Sequence, residues 1–476
     1  METTSPEDRA KAVIVGVRLP GVDDAEHRSS LEELGRLAAT LGLDVIGTIV
    51  QKRSSLSKGA VVGAGKLTQL AQWTGGDGVI PTAAKKKTTK AGAHAAPAEE
   101  TLEDDELDGD DSDDDGASDE PDDGAESGAA PPKGVKATMV LVDHDISPSQ
   151  ARNLERATGA EVLDRTAVIL AIFHRHARTR EARLQVEIAR LGYLAPRLRE
   201  SGGGGDRVRG GVGGKGAGES ALELDRRKIR DRIAELREEL AAIERDSGTR
   251  RKRRADQATV ALVGYTNAGK SSLMRALTGS DVYVADKLFA TLDTTVRPLF
   301  PETKPRILVS DTVGFIKQLP HDLVASFRST LEEAQEAHLL LHIVDASDPA
   351  FRAQLAVTRQ VLGEIGALQD ASMLLVLNKI DRVDDVGRAA LRAEFPDALR
   401  MSAKDRLDVT RLHARIVEFF ESRMEEAALF FPYSEGKRVA EVHAEARVLE
   451  ETYDEAGTHL RVRAPGEVLA RLRRET

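Results

Sequence analysis

The sequence predicts a multidomain α/β protein with a small α/β domain, a long two-helix coiled-coil hairpin, a larger α/β domain and a small C-terminal unit. Apolar, β-branched runs alternate with segments of helical spacing over residues 11–81, 138–191 and 259–421, as in α/β domains. From Ile229 to Ile243, apolar residues recur at alternating intervals of four and three, and Leu222 lies one heptad earlier, a pattern typical of a coiled coil. The 476 residues also exceed what one hydrophobic core usually holds.

The first predicted domain covers residues 1–183. Its periodicities alternate between strand and helix, which predicts a small α/β domain. The predicted strands are 12–17, 45–50, 138–142 and 161–163, and the predicted helices are 31–41, 149–158 and 166–191. The segment Gly63-Ala64-Gly65-Lys66 invites comparison with a phosphate-binding loop, but its spacing is wrong and neither Ser nor Thr follows Lys66. We interpret it as a strand-to-helix turn.

An acidic insertion is predicted to interrupt this domain over residues 82–136. Between Glu99 and Glu126 there are 17 acidic residues and neither Lys nor Arg, so the formal charge of −11 becomes +6 without this segment. Such composition cannot bury enough apolar surface to fold, and disorder is expected. Two interpretations stay open: a solvated loop without a specific role, or a segment that competes for a nucleic-acid site.

Residues 184–254 are predicted to form the coiled-coil hairpin. Its tip, residues 202–218, is rich in glycine and carries Arg207, Arg209 and Lys215, while Arg250 to Arg254 form a second basic cluster. Few aromatic residues are available for base stacking, so contacts to RNA phosphates are the expected mode of binding. A plain flexible linker is the alternative.

The most informative motif follows a β-branched run and opens an amphipathic segment. It reads Gly264-Tyr265-Thr266-Asn267-Ala268-Gly269-Lys270-Ser271. This is the pattern of a phosphate-binding loop, in which backbone N–H groups surround the β-phosphate, Lys270 reaches the β/γ oxygens and the Ser271 hydroxyl ligates Mg²⁺. The following domain is predicted to cover residues 255–425.

Three further motifs occur downstream in the expected order. They are Asp311-Thr312-Val313-Gly314, Asn378-Lys379-Ile380-Asp381 and Ser402-Ala403-Lys404. Asp311 can hold a Mg²⁺-bound water, and Gly314 can offer its N–H to a γ-phosphate. Asp381 can accept two hydrogen bonds from guanine, whereas adenine would leave this carboxylate unpaired. The ordered set predicts a P-loop GTPase domain that binds GTP and GDP.

Composition limits the remaining possibilities. The chain has no cysteine, which excludes disulfides, thiolate metal sites and cysteine nucleophiles. Its first residues lack the features of a signal peptide, and no apolar run approaches the ~20 residues that span a bilayer. We therefore expect a cytoplasmic protein. We also expect it to be a monomer. Residues 426–476 read as a small appended unit, with 421–428 predicted to complete a helix.

The chain resembles the HflX-type GTPases, a bacterial ribosome-associated family. The matching segments include Val162-Leu163-Asp164-Arg165, Leu184-Gln185-Val186-Glu187, Leu224-Asp225-Arg226-Arg227, the phosphate loop and Phe289-Ala290-Thr291-Leu292-Asp293. The resemblance implies a protein that binds the large ribosomal subunit and its rRNA through the hairpin and uses GTP to split or rescue stalled or idle ribosomes. Two departures occur: Lys215 to Ser220 replaces the family's Arg-Gly-Pro-Gly-Glu-Thr, and Thr294 replaces a proline.

The expected mechanism relies on positioning and charge stabilisation. Lys270, Asp311 and Gly314 are the predicted catalytic residues. Ser271 and Thr291 are the predicted Mg²⁺ ligands, with Thr294 and Thr295 as rivals to Thr291. The resemblance also suggests a K⁺ ion at Asn267, although this residue could simply stabilise the loop.

Phe315 stands after Gly314, where many GTPases carry a glutamine that orients water. A phenyl ring cannot orient water, so slow intrinsic hydrolysis, stimulated by a partner, is expected. Two other functions stay open: an RNA-remodelling NTPase that uses ATP through the N-terminal domain, and a nucleotide-gated scaffold with the acidic insertion as partner site. The sequence favours a tRNA-modifying GTPase less, because such proteins usually carry a C-terminal cysteine and this chain has no cysteine.

Overall fold

The computed structural model describes residues 9–56, 59–80, 135–198, 221–252, 257–279, 288–289, 295–317, 333–368 and 372–474. Almost all of the predicted acidic insertion and the whole predicted hairpin tip therefore lie outside the described residues. No helix in the described part of the chain is long and apolar enough to cross a membrane.

The N-terminal domain contains a parallel four-stranded sheet with the order β2-β1-β3-β4. Its strands are β1 (Lys11–Arg18), β2 (Asp44–Lys52), β3 (Met139–Val142) and β4 (Glu161–Asp164). Its helices are α1 (Asp24–Leu41), α2 (Ala64–Thr74), α3 (Pro148–Thr158) and α4 (Arg165–His176). Side chains of α1 and α4 pack on one face, and those of α2 and α3 on the other. The predicted α/β domain is confirmed as a three-layer structure.

The predicted single helix over residues 166–191 is wrong. The structure has two helices, α4 and α5 (Arg180–Arg197). Ala177 has an extended conformation with φ −63° and ψ 110°, and the Thr179 hydroxyl accepts the Ala182 N–H at 3.1 Å to start α5. Apolar residues continue across the break with helical spacing, so periodicity alone did not reveal it.

Helix α5 packs against α6 (Ala221–Lys252) in antiparallel fashion. Arg180 lies 2.8 Å from Glu239, and Arg232 lies 3.5 Å from Glu187. In the same interface Leu184, Ile188 and Leu236 are buried against one another, with Ile233, Leu240 and Ile243 packed around them. The predicted apolar seam thus faces α5. The predicted boundary between residues 183 and 184 lies inside α5.

The central domain has a six-stranded sheet with the order β10-β9-β8-β5-β7-β6, antiparallel only at β6. Its strands are β5 (Ala258–Gly264), β6 (Thr295–Pro298), β7 (Ile307–Asp311), β8 (Leu339–Asp345), β9 (Ser372–Asn378) and β10 (Leu399–Arg400). Its longer helices are α7 (Lys270–Thr278), α8 (Phe351–Glu364), α9 (Asp385–Glu394) and α10 (Arg406–Glu421). The carboxyl ends of β5, β7, β9 and β10 lie at one edge of the sheet, and the four predicted nucleotide motifs begin at or just after these ends.

The C-terminal unit is an antiparallel sheet of order β11-β13-β12, covered on one face by two helices. Its elements are β11 (Glu425–Pro432), α11 (Gly436–Glu445), β12 (Arg447–Tyr453), β13 (Gly457–Ala464) and α12 (Gly466–Arg474). The predicted continuation of a helix to residue 428 is wrong, because α10 ends at Glu421. Ala427, Leu429 and Phe431 alternate inward from β11, a period of two that fits a strand.

The N-terminal and central domains share one hydrophobic core. Leu34 and Phe173 of the first domain belong to the same buried cluster as Val263, Phe289 and Phe315 of the second. The rings of Phe173 and Phe289 meet edge to face with centroids 4.5 Å apart. The small domain therefore packs directly on segments that flank the predicted phosphate-binding loop.

Candidate nucleotide-binding site

The loop from Gly264 to Ser271 connects β5 to α7. Gly269 caps α7 with a φ of 98°, a backbone conformation that residues other than glycine rarely adopt. A Cβ at this position would lie 2.3 Å from Asn378 Nδ2. Thr266 N–H donates to the Phe315 carbonyl over 2.8 Å. The loop therefore turns tightly against β9 on one side and the segment after β7 on the other.

Lys270 is buried at the centre of this loop. Its ammonium donates to the carbonyls of Gly264 at 3.0 Å and Tyr265 at 2.9 Å. Burial lowers the pKa of Lys270 to about 8, although the nearby Asp311 carboxylate opposes this shift. A Cβ built on Gly314 would lie 3.0 Å from Lys270 Nζ. The structure therefore brings Lys270 and Gly314 together.

Ser271 and Asp311 meet at the same place. The Ser271 hydroxyl donates to Asp311 Oδ2 over 2.8 Å, and the Asp311 side chain is fully buried. The next residue, Thr312, is held by a 2.7 Å hydrogen bond from its hydroxyl to the Leu262 carbonyl. A hydroxyl and a carboxylate are hard oxygen donors of the kind Mg²⁺ prefers, so these two residues fit that ion.

The described residues hold no cluster of three or more His, Cys, Asp or Glu side chains suited to a metal ion. A Mg²⁺ ion bound by Ser271, with Asp311 holding one of its waters, would take its other ligands from phosphates, water or switch residues. Thr291, the predicted second protein ligand, lies outside the described residues, as do Ala290, Leu292, Asp293 and Thr294. Its rival Thr295 begins β6 and pairs with Asp311 across the sheet.

The two predicted base-recognition motifs are joined through Asn378. This residue is buried; its Nδ2 donates to the Ala268 carbonyl at 2.8 Å and its Oδ1 accepts the Ala403 N–H at 3.0 Å. Asp381 lies in a short 3-10 turn after Lys379, and its side chain is exposed. A hydrogen bond from Ser402, assisted by Lys404, holds the pKa of Asp381 below its ordinary value. Asp381 therefore remains an ionised acceptor.

Lys379 links the phosphate-binding loop to the end of β8. Its ammonium donates to the Asn267 carbonyl at 2.8 Å and lies 2.7 Å from Asp345 Oδ2. Asn267 has a φ of 60° and an exposed side chain. The Asn267 side chain therefore lies on the solvent-exposed surface of the loop.

Several contributors were missed by reading the sequence. The motif predicts only base recognition for Asn378, yet this residue ties the phosphate loop to the Ser402 segment. The sequence predicts Tyr265 only as a loop residue, yet its hydroxyl donates to Glu33 of α1. No sequence signal connects residues 33 and 265, because the contact depends on how two domains pack.

Comparison with known protein families covers three regions of the chain. Residues 28–80 and 129–174 match a family described as "GTP-binding GTPase N-terminal", and residues 176–254 match one described as "GTP-binding GTPase Middle Region". Residues 259–379 match a family described as "50S ribosome-binding GTPase".

Similar proteins carry the name GTPase HflX. One from Gluconacetobacter diazotrophicus is 56% identical over 479 residues, covering 100% of this chain and 99% of its own length. One from Caldanaerobacter subterraneus is 35% identical and covers 98% and 94%. One from Escherichia coli is 41% identical over 338 residues, covering 70% of this chain and 79% of its own length.

A solved structure with partial similarity is that of a GTP-binding protein from Sulfolobus solfataricus in complex with GDP. It is 21% identical, with a TM-score of 0.41, and covers 85% of this chain and 99% of its own. At that TM-score the overall superposition is too loose to carry a structural argument, so the sequence relatives are the informative comparison.

Proposed function

This chain belongs to the HflX family of GTPases, and from that premise we propose that it binds the large ribosomal subunit and uses GTP to split or rescue stalled or idle ribosomes. The observation that carries the proposal is a GTPase domain that follows an antiparallel pair of helices, α5 and α6, whose connecting segment is glycine-rich and basic. Arg207, Arg209 and Lys215 supply the positive charge that contacts to RNA phosphates need. The family description of residues 259–379 as a ribosome-binding GTPase supports the same partner.

Catalysis in this site would depend on positioning. Lys270 would stabilise charge on the β- and γ-phosphates, and the N–H of Gly314 would contact the γ-phosphate. Mg²⁺, held by Ser271 and linked to Asp311 through water, would neutralise negative charge on the phosphates when bound. We place Thr291 as its second protein ligand. Asp381, oriented by Ser402, would select guanine over adenine.

The first prediction concerns the activating partner. Phe315 follows Gly314 and is buried. Because its phenyl ring carries no hydrogen-bond donor or acceptor, it cannot orient the attacking water. We expect large ribosomal subunits to increase the GTP hydrolysis rate at least about tenfold, because the partner would supply the missing positioning. The measurement is phosphate release with large subunits, small subunits or no addition, with ATP as a parallel substrate.

Charge reversal at the hairpin tip makes this test specific. Arg207→Glu with Arg209→Glu should abolish stimulation by large subunits while basal hydrolysis stays unchanged. The matched control, Arg392→Glu with Lys437→Glu, reverses two exposed charges elsewhere and should retain stimulation. Equal hydrolysis with and without large subunits would contradict the proposed partner but leave the GTPase assignment intact. Hydrolysis of ATP at a comparable rate would instead favour the RNA-remodelling NTPase.

The second prediction concerns a monovalent cation. We propose that the Asn267 side chain ligates K⁺ beside the phosphates, where its charge would replace that of an arginine finger. Basal GTP hydrolysis should then be about tenfold faster in KCl than in NaCl at equal ionic strength. Asn267→Ala should remove this difference, whereas the control Asn153→Ala, remote from the site, should preserve it. Equal rates in the two salts for the unaltered protein would refute the K⁺ site.

A further inference from the structure

A buried group of charges lies where the N-terminal domain meets the central domain. Arg165 at the start of α4 donates to Asp143 over 2.7 Å and also to Glu33 of α1. These three side chains are almost completely buried, with exposed fractions of 1% for Arg165, 5% for Glu33 and 3% for Asp143. One cation is thus held between two carboxylates, and the orientation of Glu33 is set within its own domain.

The same carboxylate reaches into the central domain. Glu33 accepts a hydrogen bond from the hydroxyl of Tyr265, the second residue of the phosphate-binding loop. Burial and the adjacent Glu33 charge raise the pKa of Tyr265, so the phenol keeps its proton and remains the donor. The direction of the hydrogen bond is therefore settled: Tyr265 donates and Glu33 accepts.

The oxygen of Tyr265 has a second partner. It accepts the backbone N–H of Lys317 over 2.7 Å. Lys317 is the third residue after Gly314, and the intervening Phe315 bridges to the backbone of Tyr265. The phenol hydroxyl is consequently a junction between the N-terminal domain and the segment that carries Gly314.

Other contacts also join the N-terminal domain to the central domain. Lys317 Nζ lies 3.2 Å from Glu26 Oε1 of α1, and the N–H of Leu288 donates to Thr40 Oγ1 at 3.3 Å. The Phe289 ring lies against Phe173 of α4. The hydrogen bond of the Tyr265 hydroxyl differs from these contacts, because Tyr265 belongs to the phosphate-binding loop itself.

We propose that Tyr265 is a positioning residue for GTP hydrolysis, whose hydroxyl couples Glu33 of the N-terminal domain to the backbone at Lys317 and so places Gly314 against the γ-phosphate. The loop's backbone and Lys270 bind the phosphates without using this hydroxyl. Its loss should therefore affect the step in which the Gly314 N–H contacts developing charge more than it affects nucleotide binding. By linkage, a ligand that displaces Glu33 would alter nucleotide handling in the same way.

The test is Tyr265→Phe, which removes one oxygen and keeps the ring. Basal kcat, measured without ribosomes, should fall about tenfold, because the variant loses the buried hydrogen bonds of the hydroxyl to Glu33 and to the Lys317 N–H. KM for GTP and the dissociation constant of a fluorescent GDP analogue should stay within twofold. The matched control is Tyr433→Phe, which removes a hydroxyl bonded to the Asp454 carbonyl in the C-terminal unit and should change neither quantity.

A double-mutant cycle locates the effect at the domain contact. Glu33→Gln should lower kcat severalfold, and Glu33→Gln with Tyr265→Phe should be no slower than Tyr265→Phe alone, because both changes act through one hydrogen bond. Glu32→Gln, on the exposed side of α1, is the control for the charge change.

The outcomes separate clearly. A kcat for Tyr265→Phe within twofold of the unaltered protein would overturn the proposal, as would a raised KM at unchanged kcat. Single effects that multiply in the double variant would also overturn it, because they would show that Glu33 and Tyr265 act independently. If Tyr265→Phe does not fold, Glu33→Gln carries the kcat test from the other partner. None of these measurements depends on the ribosome, so their failure is distinct from failure of the proposed function.

Discussion

Lys270→Ala is expected to lower kcat for GTP hydrolysis by about 10²–10³-fold, the usual cost of removing one preorganised group that stabilises transition-state charge. The Lys270 ammonium is buried and held by two carbonyls of its own loop. Bound phosphates would attract it with little competition from water. Because the same ammonium also meets the ground-state phosphates, we expect nucleotide affinity to fall as well.

The chain contains its own control for this variant. Lys66 ends the sequence Gly63-Ala64-Gly65-Lys66, which resembles a phosphate-binding loop only superficially. In the structure Gly63 precedes α2, and its N–H already donates to Gln51 Oε1 at 2.9 Å. Lys66→Ala should therefore leave GTP hydrolysis within twofold of normal. Comparable losses for the two lysine variants would show that the N-terminal domain takes part in nucleotide binding.

Asp381→Asn is expected to reduce GTP affinity about 10³-fold and to create a preference for xanthosine triphosphate. A carboxylate accepts from both the ring N–H and the exocyclic amine of guanine. An asparagine keeps one acceptor but presents N–H donors, which oppose the guanine amine. Xanthine carries a carbonyl oxygen at that position and can accept from the new amide.

The neighbouring Asp385 provides the control for this exchange. Its side chain is 99% exposed and makes only a 3.7 Å contact with Arg388. Asp385→Asn should change neither GTP nor xanthosine triphosphate affinity by more than twofold, as measured by competition with a fluorescent GDP analogue. If Asp381→Asn kept its preference for GTP, the base would have to be recognised elsewhere in the protein.

Fold class and element order could be predicted because apolar periodicity records how each element is buried. Strands β1, β3, β5 and β7 follow from their β-branched runs. The two errors have local causes. Helical spacing of apolar residues persists through the break at Ala177. The break itself is imposed by the Thr179 cap and by the packing of α5 on α6. The period-two pattern of β11 was hidden because charged residues precede it directly after α10.

The residues of the candidate site could be predicted from the sequence in part. Motif residues at the ends of β5, β7 and β9 could be found from their order, because parallel strands bring their carboxyl ends to one edge of the sheet. The roles of these residues in binding and catalysis stay predictions. The bridging role of Asn378 and the link from Lys379 to Asp345 could not be found, since each joins segments separated along the chain.

The sequence by itself determined which chemistry is available: a loop of backbone amides with Lys270, oxygen donors at Ser271 and Asp311, and a carboxylate at Asp381. Only the tertiary structure decided that the N-terminal domain packs on this loop through Glu33 and Tyr265. The physical reason is that motifs depend on neighbours along the chain, which spacing records. Contacts between domains depend on how two sheets and their helices are placed relative to each other, and residue spacing along the chain does not record that placement.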